Sequence, residues 1–216
     1  MTVTTRRRYD VDSLLAVAVA VFTERGYDGT SREDLARASG LSKSSLYHHI
    51  DSKEQLLRLA LERAVEPLFA VTQEPAAVSG RAIERLEHVV RREVEVLAER
   101  LPYVTLLLRV HGNTEAERWA LERRREFDRF VAGLVREAAT DGDVRDDLDP
   151  AVVTRLLFGM INSLVEWYRP DPADQGTPGA DRGQEPARQG GSRHTRMAAA
   201  DLAASVVRLS FDGLRR

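Results

Sequence analysis

Residues 30–50 have the sequence TSREDLARASGLSKSSLYHHI, and this stretch decides the fold that we predict for the chain. Two short helical segments flank Gly40, the first with Leu35 and Ala36 on its apolar side and the second with Leu46. Glycine readily adopts the left-handed backbone conformation that such a tight turn requires. A supporting helix, a tight turn and a short second helix form a helix-turn-helix, which inserts its second helix into the major groove of DNA.

Potential capping residues set the predicted ends of the helices in this region. Thr30 stands three residues before Glu33, the spacing of a capping box, so we predict that the second helix begins at Thr30. We expect Ser42 to cap the short third helix. By the same spacing rule, Ser52 caps the fourth helix together with Gln55.

Working outward, apolar residues recur at three- and four-residue spacing along nearly the whole chain, which predicts an all-α protein of about nine helices. We predict a three-helix N-terminal helix-turn-helix domain in residues 1–50 and a C-terminal helical bundle in residues 51–216. The expected helical segments are approximately 11–25, 30–38, 42–49, 52–65, 83–97, 102–112, 114–139, 150–169 and 195–214. Residues 73–80 are predicted to form a loop, and no strand-like alternation is convincing.

Composition narrows the functional classes. The chain has 216 residues, of which 43% are hydrophobic and 31% are charged, and this balance is typical of a globular protein. Without cysteine it has no thiolate metal site and no cysteine nucleophile. No apolar run reaches the length of a membrane span, and no cleavage site follows the basic N-terminus, so we predict a cytoplasmic protein without membrane contact. Residues 170–194 lack large apolar side chains and are predicted to be a flexible, disordered insertion.

Two other classes of protein compete with a site-specific DNA binder. An enzyme built on a helical bundle would show Glu-x-x-His metal motifs, a phosphate-binding glycine loop or a nucleophile elbow, and the sequence contains none of them. We therefore predict no catalytic residue, no metal and no cofactor. A general, architectural DNA binder would need a basic surface. Residues 1–55 hold equal numbers of acidic and basic side chains, which favours a few placed contacts over general coating of DNA.

The exposed face of the predicted recognition helix carries small polar groups, a cation and aromatic hydrogen-bonding groups, which suit base edges and phosphates. These residues are Lys43, Ser44, Ser45, Tyr47, His48 and His49. Lys53, at the start of the fourth helix, is placed to reach a phosphate. The basic arm at residues 6–8 could follow the DNA backbone or the adjacent minor groove.

Four stretches of this region together resemble the tetracycline-repressor (TetR) family. They are Phe22–Ser31, Asp34–Ser42, Leu46–His49 and Ser52–Leu57. The resemblance covers about residues 9–60 in order and without gaps. The all-helical remainder also resembles the architecture of that family.

The resemblance implies a function and several residue roles. In the family, the threonine that matches Thr30 caps the second helix and touches phosphate. The residues that match Lys43, Ser44 and Ser45 approach bases and backbone, and those that match Tyr47, His48 and Lys53 bind phosphates. The full predicted set of DNA contacts is Thr30, Ser31, Ser42, Lys43, Ser44, Ser45, Tyr47, His48 and Lys53. Members are homodimers, commonly repressors, and a small molecule usually releases them from a palindromic operator.

The resemblance implies that the dimer forms through the last two helices, here about 151–169 and 195–214. The residues themselves also favour a dimer, because the predicted helix at 150–169 is apolar on several sides and needs burial on more than one face. The alternative is that this helix lies at the centre of its own bundle. The predicted interface residues are Val153, Leu157, Gly159, Leu164, Leu202, Val206 and Leu209, among which Gly159 would permit close approach.

We place the predicted effector pocket among the fifth to eighth predicted helices, within residues 83–169. Its candidate walls are Tyr103, Leu107, Trp119, Phe127, Phe158, Ile161 and Trp167, and its candidate polar anchors are Arg109, His111, Asn113, Arg123, Asn162 and Glu166. Such apolar residues are more often ordinary core than ligand contacts, and such arginines more often lie on a solvated helix face. A histidine near a helix end, such as His111, is more often a capping or surface group than a ligand contact.

Residues 106–115, 117–128 and 161–170 are similar to TetR-like regulators of fatty-acid, phenylacetate or sterol catabolism, some of which sense acyl-CoA thioesters. Arg91, Arg92 and the run Arg123–Arg125 could meet the phosphates of coenzyme A. Ion pairs along a solvated helix face explain the same arginines at least as well.

Overall fold

The computed structural model describes residues 11–41, 50–170 and 196–215, and these are predominantly helical. The helices are α1 (Val11–Arg25), α2 (Arg32–Ser39), α3 (Lys53–Val71), α4 (Pro75–Val78), α5 (Ala82–Glu99), α6 (Leu101–Leu107), α7 (Glu115–Thr140), α8 (Pro150–Asn162), α9 (Leu164–Trp167) and α10 (Ala199–Leu214). Two short strands, β1 (Arg169–Pro170) and β2 (Arg196–Met197), form a parallel pair. The prediction of an all-α fold is confirmed. No helix in the described ranges is long and apolar enough to cross a membrane.

The chain divides into two compact units. The first comprises Met1–Glu66 and Pro102–Arg123, and the second comprises Pro67–Leu101 and Arg124–Arg216. The three boundaries fall inside α3, after the first residue of α6 and in the first half of α7. A segment from later in the sequence therefore completes the first unit. The predicted division at residue 50 separates two functions, DNA binding and effector binding, and it stays a prediction.

The first unit is organised around the apolar stripe of α1. Leu14, Leu15, Val19 and Phe22 are all nearly inaccessible to solvent, as the three- and four-residue spacing predicts. α1 packs against α2, where Leu35 is buried as expected from the sequence. This packing fixes the supporting part of the helix-turn-helix.

The second unit is built on the packing of α5 against α10. Further along the chain, Phe127 of α7 is buried among three other aromatic rings. Its ring centroid lies 5.8 Å from that of Phe158 in a stacked arrangement, 6.0 Å from that of Phe69 and 6.3 Å from that of Phe130. These separations are typical of favourable aromatic pairs, so Phe127 is a central packing residue of this unit.

Several local features differ from the sequence predictions. The predicted loop at 73–80 contains α4, a single turn that begins with Pro75, a residue well suited to the first position of a helix. The predicted helix at 150–169 is interrupted at Ser163 and ends at Trp167. It ends there because the Tyr168 hydroxyl donates to the Met197 carbonyl at 3.1 Å and the next two residues pair with β2.

Candidate functional site

The turn that follows α2 has the geometry that the sequence predicts. Gly40 adopts a left-handed conformation (φ 67°), and its N–H donates to the carbonyls of Ala36 and Arg37. The Leu41 N–H donates to the Ala36 carbonyl at 3.1 Å. A residue with a Cβ would be strained at this φ, so glycine at position 40 determines the direction in which the chain leaves α2.

The predicted recognition helix, residues 42–49, lies outside the described residues, as does the basic arm at residues 6–8. The DNA contacts predicted for Ser42, Lys43, Ser44, Ser45, Tyr47 and His48 therefore stay predictions.

The cap of α2 differs by one residue from the prediction. Ser31 is the N-cap, and its Oγ accepts from the Asp34 N–H at 3.1 Å while the Asp34 carboxylate accepts from the Ser31 N–H at 2.9 Å. The predicted pair of Thr30 and Glu33 is wrong because Thr30 is buried and its hydroxyl donates to the Gly26 carbonyl at 2.7 Å. The hydrogen bonds from Ser31 hold the pKa of Asp34 below its usual value.

The cap of α3 agrees with the prediction. The Ser52 Oγ accepts from the Gln55 N–H at 3.0 Å, and the Gln55 Oε1 accepts from the Asp51 N–H at 2.6 Å. α3 therefore begins immediately after Ser52, and Lys53 occupies its first position.

Lys53 ties the start of α3 to the loop before α2. Its ammonium donates to the Tyr27 carbonyl at 2.8 Å and to the Thr30 carbonyl at 2.9 Å. The Nζ atom also lies 4.0 Å from the centroid of the Tyr27 ring, a cation–π distance. Removal from water lowers the pKa of Lys53, an effect that Asp28 opposes. We call these contacts the Lys53 clamp; its two hydrogen bonds use two of the three ammonium donors.

The starts of α2 and α3 open onto one polar hollow of about 380 Å³. It is lined by Tyr27, Thr30, Ser31, Arg32, Ser52, Lys53 and Glu54. Helix N-termini present N–H groups and a partial positive charge, which favour anions. The starts of α2 and α3 therefore form a hollow whose helix N-termini favour an anion.

The Lys53 clamp predicts a stability effect that is independent of DNA. We expect Lys53→Met, which keeps the length of the side chain and removes the ammonium, to lower the free energy of unfolding by about 1.5–3 kcal/mol, the usual range for hydrogen bonds from a charged donor. Urea unfolding followed by circular dichroism would measure it. Arg37→Met is the matched control because Arg37 is 77% exposed and its ion pair with Asp34, at 3.5 Å, lies at the surface. If the two variants were equally stable, the clamp would not hold the loop.

Part of the predicted effector set lies in the first unit: Tyr103, Leu107, Arg109, His111, Asn113, Trp119 and Arg123. Several of these side chains contact other residues of the first unit. Arg109 donates to the Thr23 carbonyl at 2.6 Å and Asn113 donates to Asp28 at 3.0 Å, while the Arg58 guanidinium lies 3.5 Å from the centroid of the Trp119 ring. Arg109 and His111 also line a cavity of about 390 Å³ whose other residues belong to this unit.

The remaining predicted effector residues lie in the second unit. Phe127 and Phe158 are buried, Asn162 is half-buried, and Glu166 and Trp167 are exposed. The predicted set is therefore divided between the two units. Its assignment to an effector stays a prediction.

Two of the arginines considered for coenzyme A phosphates, Arg91 and Arg92 of α5, have carboxylate partners. Arg91 pairs with Glu87 at 3.2 Å, and Arg92 pairs with Glu95 and, at 3.1 Å, with Glu74. This arrangement is the one expected for a solvated helix face with ion pairs, the second of the two interpretations.

The sequence analysis missed a polar residue inside the second unit. Glu93 of α5 is 8% exposed, and its Oε2 has no hydrogen-bond partner in the part of the chain that the structure describes. The pattern contains the signal, because Glu93 lies three residues after Val90 and four before Leu97, on the apolar stripe of the helix. A carboxyl group at such a position requires an explanation.

An exposed apolar surface lies on α8 and α10. We call it the α8–α10 surface and define it by Val152, Leu156 and Leu209, whose exposed fractions are 47%, 69% and 71%. Its groove, about 240 Å³ in volume, is lined by Leu148, Val153, Leu156, Leu157, Met160, Leu209, Ser210, Gly213 and Leu214. Among the predicted interface residues, Gly159 and Leu209 are exposed. The others, Val153, Leu157, Leu164, Leu202 and Val206, are buried within the protomer itself.

Two family models match the chain. Residues 14–60 match the bacterial regulatory proteins of the tetR family, and residues 79–174 match the tetracyclin repressor-like C-terminal domain. The chain belongs to the TetR family. Members of the TetR family are transcriptional regulators and not enzymes, which agrees with the prediction of a non-enzymatic regulator.

Named relatives and solved structures agree with this assignment. The transcriptional repressor KstR2 of Rhodococcus jostii is 31% identical over 160 residues, which cover 73% of this chain and 78% of that protein. The crystal structure of SCO3833, a TetR-family member from Streptomyces coelicolor, is 55% identical with a TM-score of 0.79 and covers 94% of this chain and 91% of that one. AibR, crystallised with isovaleryl coenzyme A and operator DNA, shares the TetR fold at 24% identity and a TM-score of 0.68, covering 93% of this chain and 97% of its own.

Proposed function

We propose that this TetR-family regulator is a ligand-responsive repressor that binds a palindromic operator as a homodimer and is released by a small molecule. The observation that carries the proposal is the match of residues 14–60 to the family's N-terminal model, together with the Gly40 turn and the capped starts of α2 and α3. KstR2, at 31% identity, is a transcriptional repressor. Acting on an operator, the protein would work in the cytoplasm.

The polar hollow at the starts of α2 and α3 supports a mode of DNA binding. A phosphate in the hollow would meet the N-termini of both helices, and the third donor of the Lys53 ammonium would add a charge-assisted hydrogen bond. The recognition residues Lys43, Ser44, Ser45 and Tyr47 would then read the adjacent groove. Phosphate contacts fix the register of the protein on the duplex, whereas base contacts provide specificity.

The α8–α10 surface supports the homodimer. Leu156 and Leu209 expose most of their apolar area, and a Cβ added to Gly159 would meet no heavy atom within 4 Å, so a second helix can approach there. Spacing of three and four residues places Val152, Leu156 and Gly159 on one face of α8. Pairing of this face with its own copy about a twofold axis would bury it and would space two recognition helices for a palindrome.

The proposed effector is an acyl-CoA or another lipophilic or aromatic molecule. AibR, which shares the fold, was crystallised with isovaleryl coenzyme A. The second unit also has an apolar, aromatic interior around Phe127 and Phe158, which matches a lipophilic effector in polarity.

Selection from a random duplex library tests the DNA-binding half of the proposal. We expect the purified protein to enrich an inverted repeat, and isovaleryl coenzyme A, a longer acyl-CoA or another lipophilic or aromatic molecule to release it in a gel-shift titration. Enrichment of no repeat, with binding that no ligand reverses, would favour the architectural DNA binder instead.

Substitutions in the predicted recognition helix have distinguishable effects on the selected operator. We expect Lys43→Ala to weaken binding and to reduce the slope of log K against log salt by about 0.9 for each phosphate that the protein no longer neutralises. We expect Tyr47→Ala to weaken binding to all operator variants alike. Gel shifts at several salt concentrations would measure both effects, with Arg136→Ala, an exposed arginine of the second unit, as the charge-matched control. Wild-type affinity for both variants would show that the recognition helix is assigned incorrectly.

A further inference from the structure

Glu93 is an acidic side chain on the apolar stripe of α5. The helix buries Leu86, Val89, Val90 and Val94 on this stripe, and Glu93 is buried together with these apolar neighbours. Burying a carboxyl group without a compensating hydrogen bond is costly, and burying it in the ionised form costs much more. A leucine at this position would avoid both costs, so the acid needs a partner that is not among the described residues of the chain.

The charged groups near Glu93 do not supply that partner. Among the described residues, the charged group that acts on it is Asp128 of α7, which has the same sign, while α4 and α10, which both pack against α5, contribute none. Arg124, half-buried one turn before Asp128, acts on Asp128 instead, as do Arg129 and Arg155. Burial, with a smaller contribution from Asp128, raises the pKa of Glu93 well above its ordinary value of 4.5.

The protonation state of Glu93 determines what it can bind. A neutral carboxyl group offers one O–H donor and a carbonyl acceptor. An ammonium ligand would first require the proton to leave, and a carboxylate ligand would meet the repulsion of Asp128. An uncharged carbonyl or hydroxyl oxygen accepts the hydrogen bond from the O–H directly and requires no change of charge.

We propose that Glu93 is the effector-selecting residue of this regulator: its protonated carboxyl donates a hydrogen bond to an uncharged carbonyl or hydroxyl oxygen on an otherwise apolar ligand. The inference deepens the proposed function and rests on the second unit being the effector-binding unit. It predicts selection by the shape and neutral oxygen of the ligand and not by a charge. A carbonyl within a lipophilic acyl or ring system has this chemistry.

A set of four small probes tests the proposal without DNA. Acetophenone carries the carbonyl oxygen, and α-methylstyrene has nearly the same shape with CH₂ in its place. 1-Phenylethylamine and benzoate carry a positive and a negative charge. We expect the wild-type protein to bind acetophenone about tenfold more tightly than α-methylstyrene, the preference that one buried hydrogen bond provides, and to bind the charged probes more weakly. Saturation-transfer NMR titrations would measure all four affinities.

Two variants of Glu93 separate this proposal from a cation site. Glu93→Gln keeps a donor and an acceptor, so we expect it to retain the preference for acetophenone. Glu93→Leu removes both, so we expect it to bind acetophenone and α-methylstyrene equally. Three results would each overturn the proposal. The wild type could bind 1-phenylethylamine more tightly than acetophenone, Glu93→Leu could keep the preference for acetophenone over α-methylstyrene, or the wild type could bind no probe at all. Operator binding measured on the same variants tests the proposed function separately, because these titrations contain no DNA.

The pH dependence of stability provides a readout of the proton itself. A group whose pKa is higher in the folded than in the unfolded state stabilises the fold at low pH, and this contribution is lost as the pH rises through the folded pKa. The wild type should therefore lose stability relative to Glu93→Gln as the pH increases above about 4.5. Urea unfolding across this pH range would show it. A constant difference between the two proteins would mean that Glu93 is already ionised in the native state.

Discussion

Replacing Leu156 with glutamate will convert the protein to monomers and remove tight operator binding. In the proposed homodimer Leu156 is buried on the α8–α10 surface, and the twofold axis would bring two glutamates into the same apolar contact. Burial of an unpaired charge costs several kcal/mol, so the dimer should weaken by at least about 100-fold. Operator affinity should fall with it, because each monomer would then bind one half-site without the effective concentration that the dimer provides.

The fold of the protomer should survive this substitution, because Leu156 is 69% exposed and contributes little to the core of its own chain. Analytical ultracentrifugation would measure the dimer and fluorescence anisotropy the binding of the selected operator. Val78→Glu is the matched control, since Val78 is also an exposed aliphatic residue (57%) but lies on α4. If Leu156→Glu remained a dimer while Val78→Glu dissociated, the dimer interface would not lie on the α8–α10 surface.

The second large effect is expected at Phe127, where alanine should cost about 3–5 kcal/mol of stability. The ring is 2% exposed and contacts three other aromatic rings, so its removal leaves a cavity that the surrounding helices fill only in part. For a protein of this size the melting temperature should fall by roughly 6–20 °C. Differential scanning calorimetry in the absence of ligand would measure it.

Phe130→Ala is the control for this experiment. Phe130 lies on the same helix and is only half-buried, so its truncation should cost clearly less than that of Phe127. The comparison also tests the sequence prediction that Phe127 is an effector contact. If Phe127 instead lined a ligand cavity, Phe127→Ala would change ligand affinity and leave the melting temperature of the free protein nearly unchanged. That result would contradict the assignment of Phe127 to the core.

The sequence predicted the helical fold, the Gly40 turn and the cap at Ser52 because each depends on residues close together in the chain. The cap of α2 was predicted one residue too early, because two overlapping pairs, Thr30 with Glu33 and Ser31 with Asp34, satisfy the same spacing rule. Which pair forms is decided by the burial of Thr30 and its bond to the Gly26 carbonyl, which the local pattern does not contain.

The exposed face of α8 could not be predicted for a related reason. A helix that is apolar on nearly all sides has no clear phase, so the sequence did not distinguish Val153 and Leu157, which face the core, from Val152 and Leu156, which face solvent. Glu93 is the opposite case. Its position on the stripe of α5 is visible in the spacing alone, but its burial without a partner depends on tertiary packing.

Completion of the first unit by Pro102–Arg123 has a consequence for how the protein is made. Leu14, Phe22 and Leu57 are synthesised long before Pro102–Arg123. One late contact of this segment is the Ala116 N–H, which donates to Glu54 at 3.2 Å. The N-terminal helices therefore leave the ribosome before their last partners have been synthesised. Co-translational folding of this unit can finish only after residue 123 has been synthesised. A chimera that exchanges the DNA-reading part between two such regulators would likewise need to carry both segments.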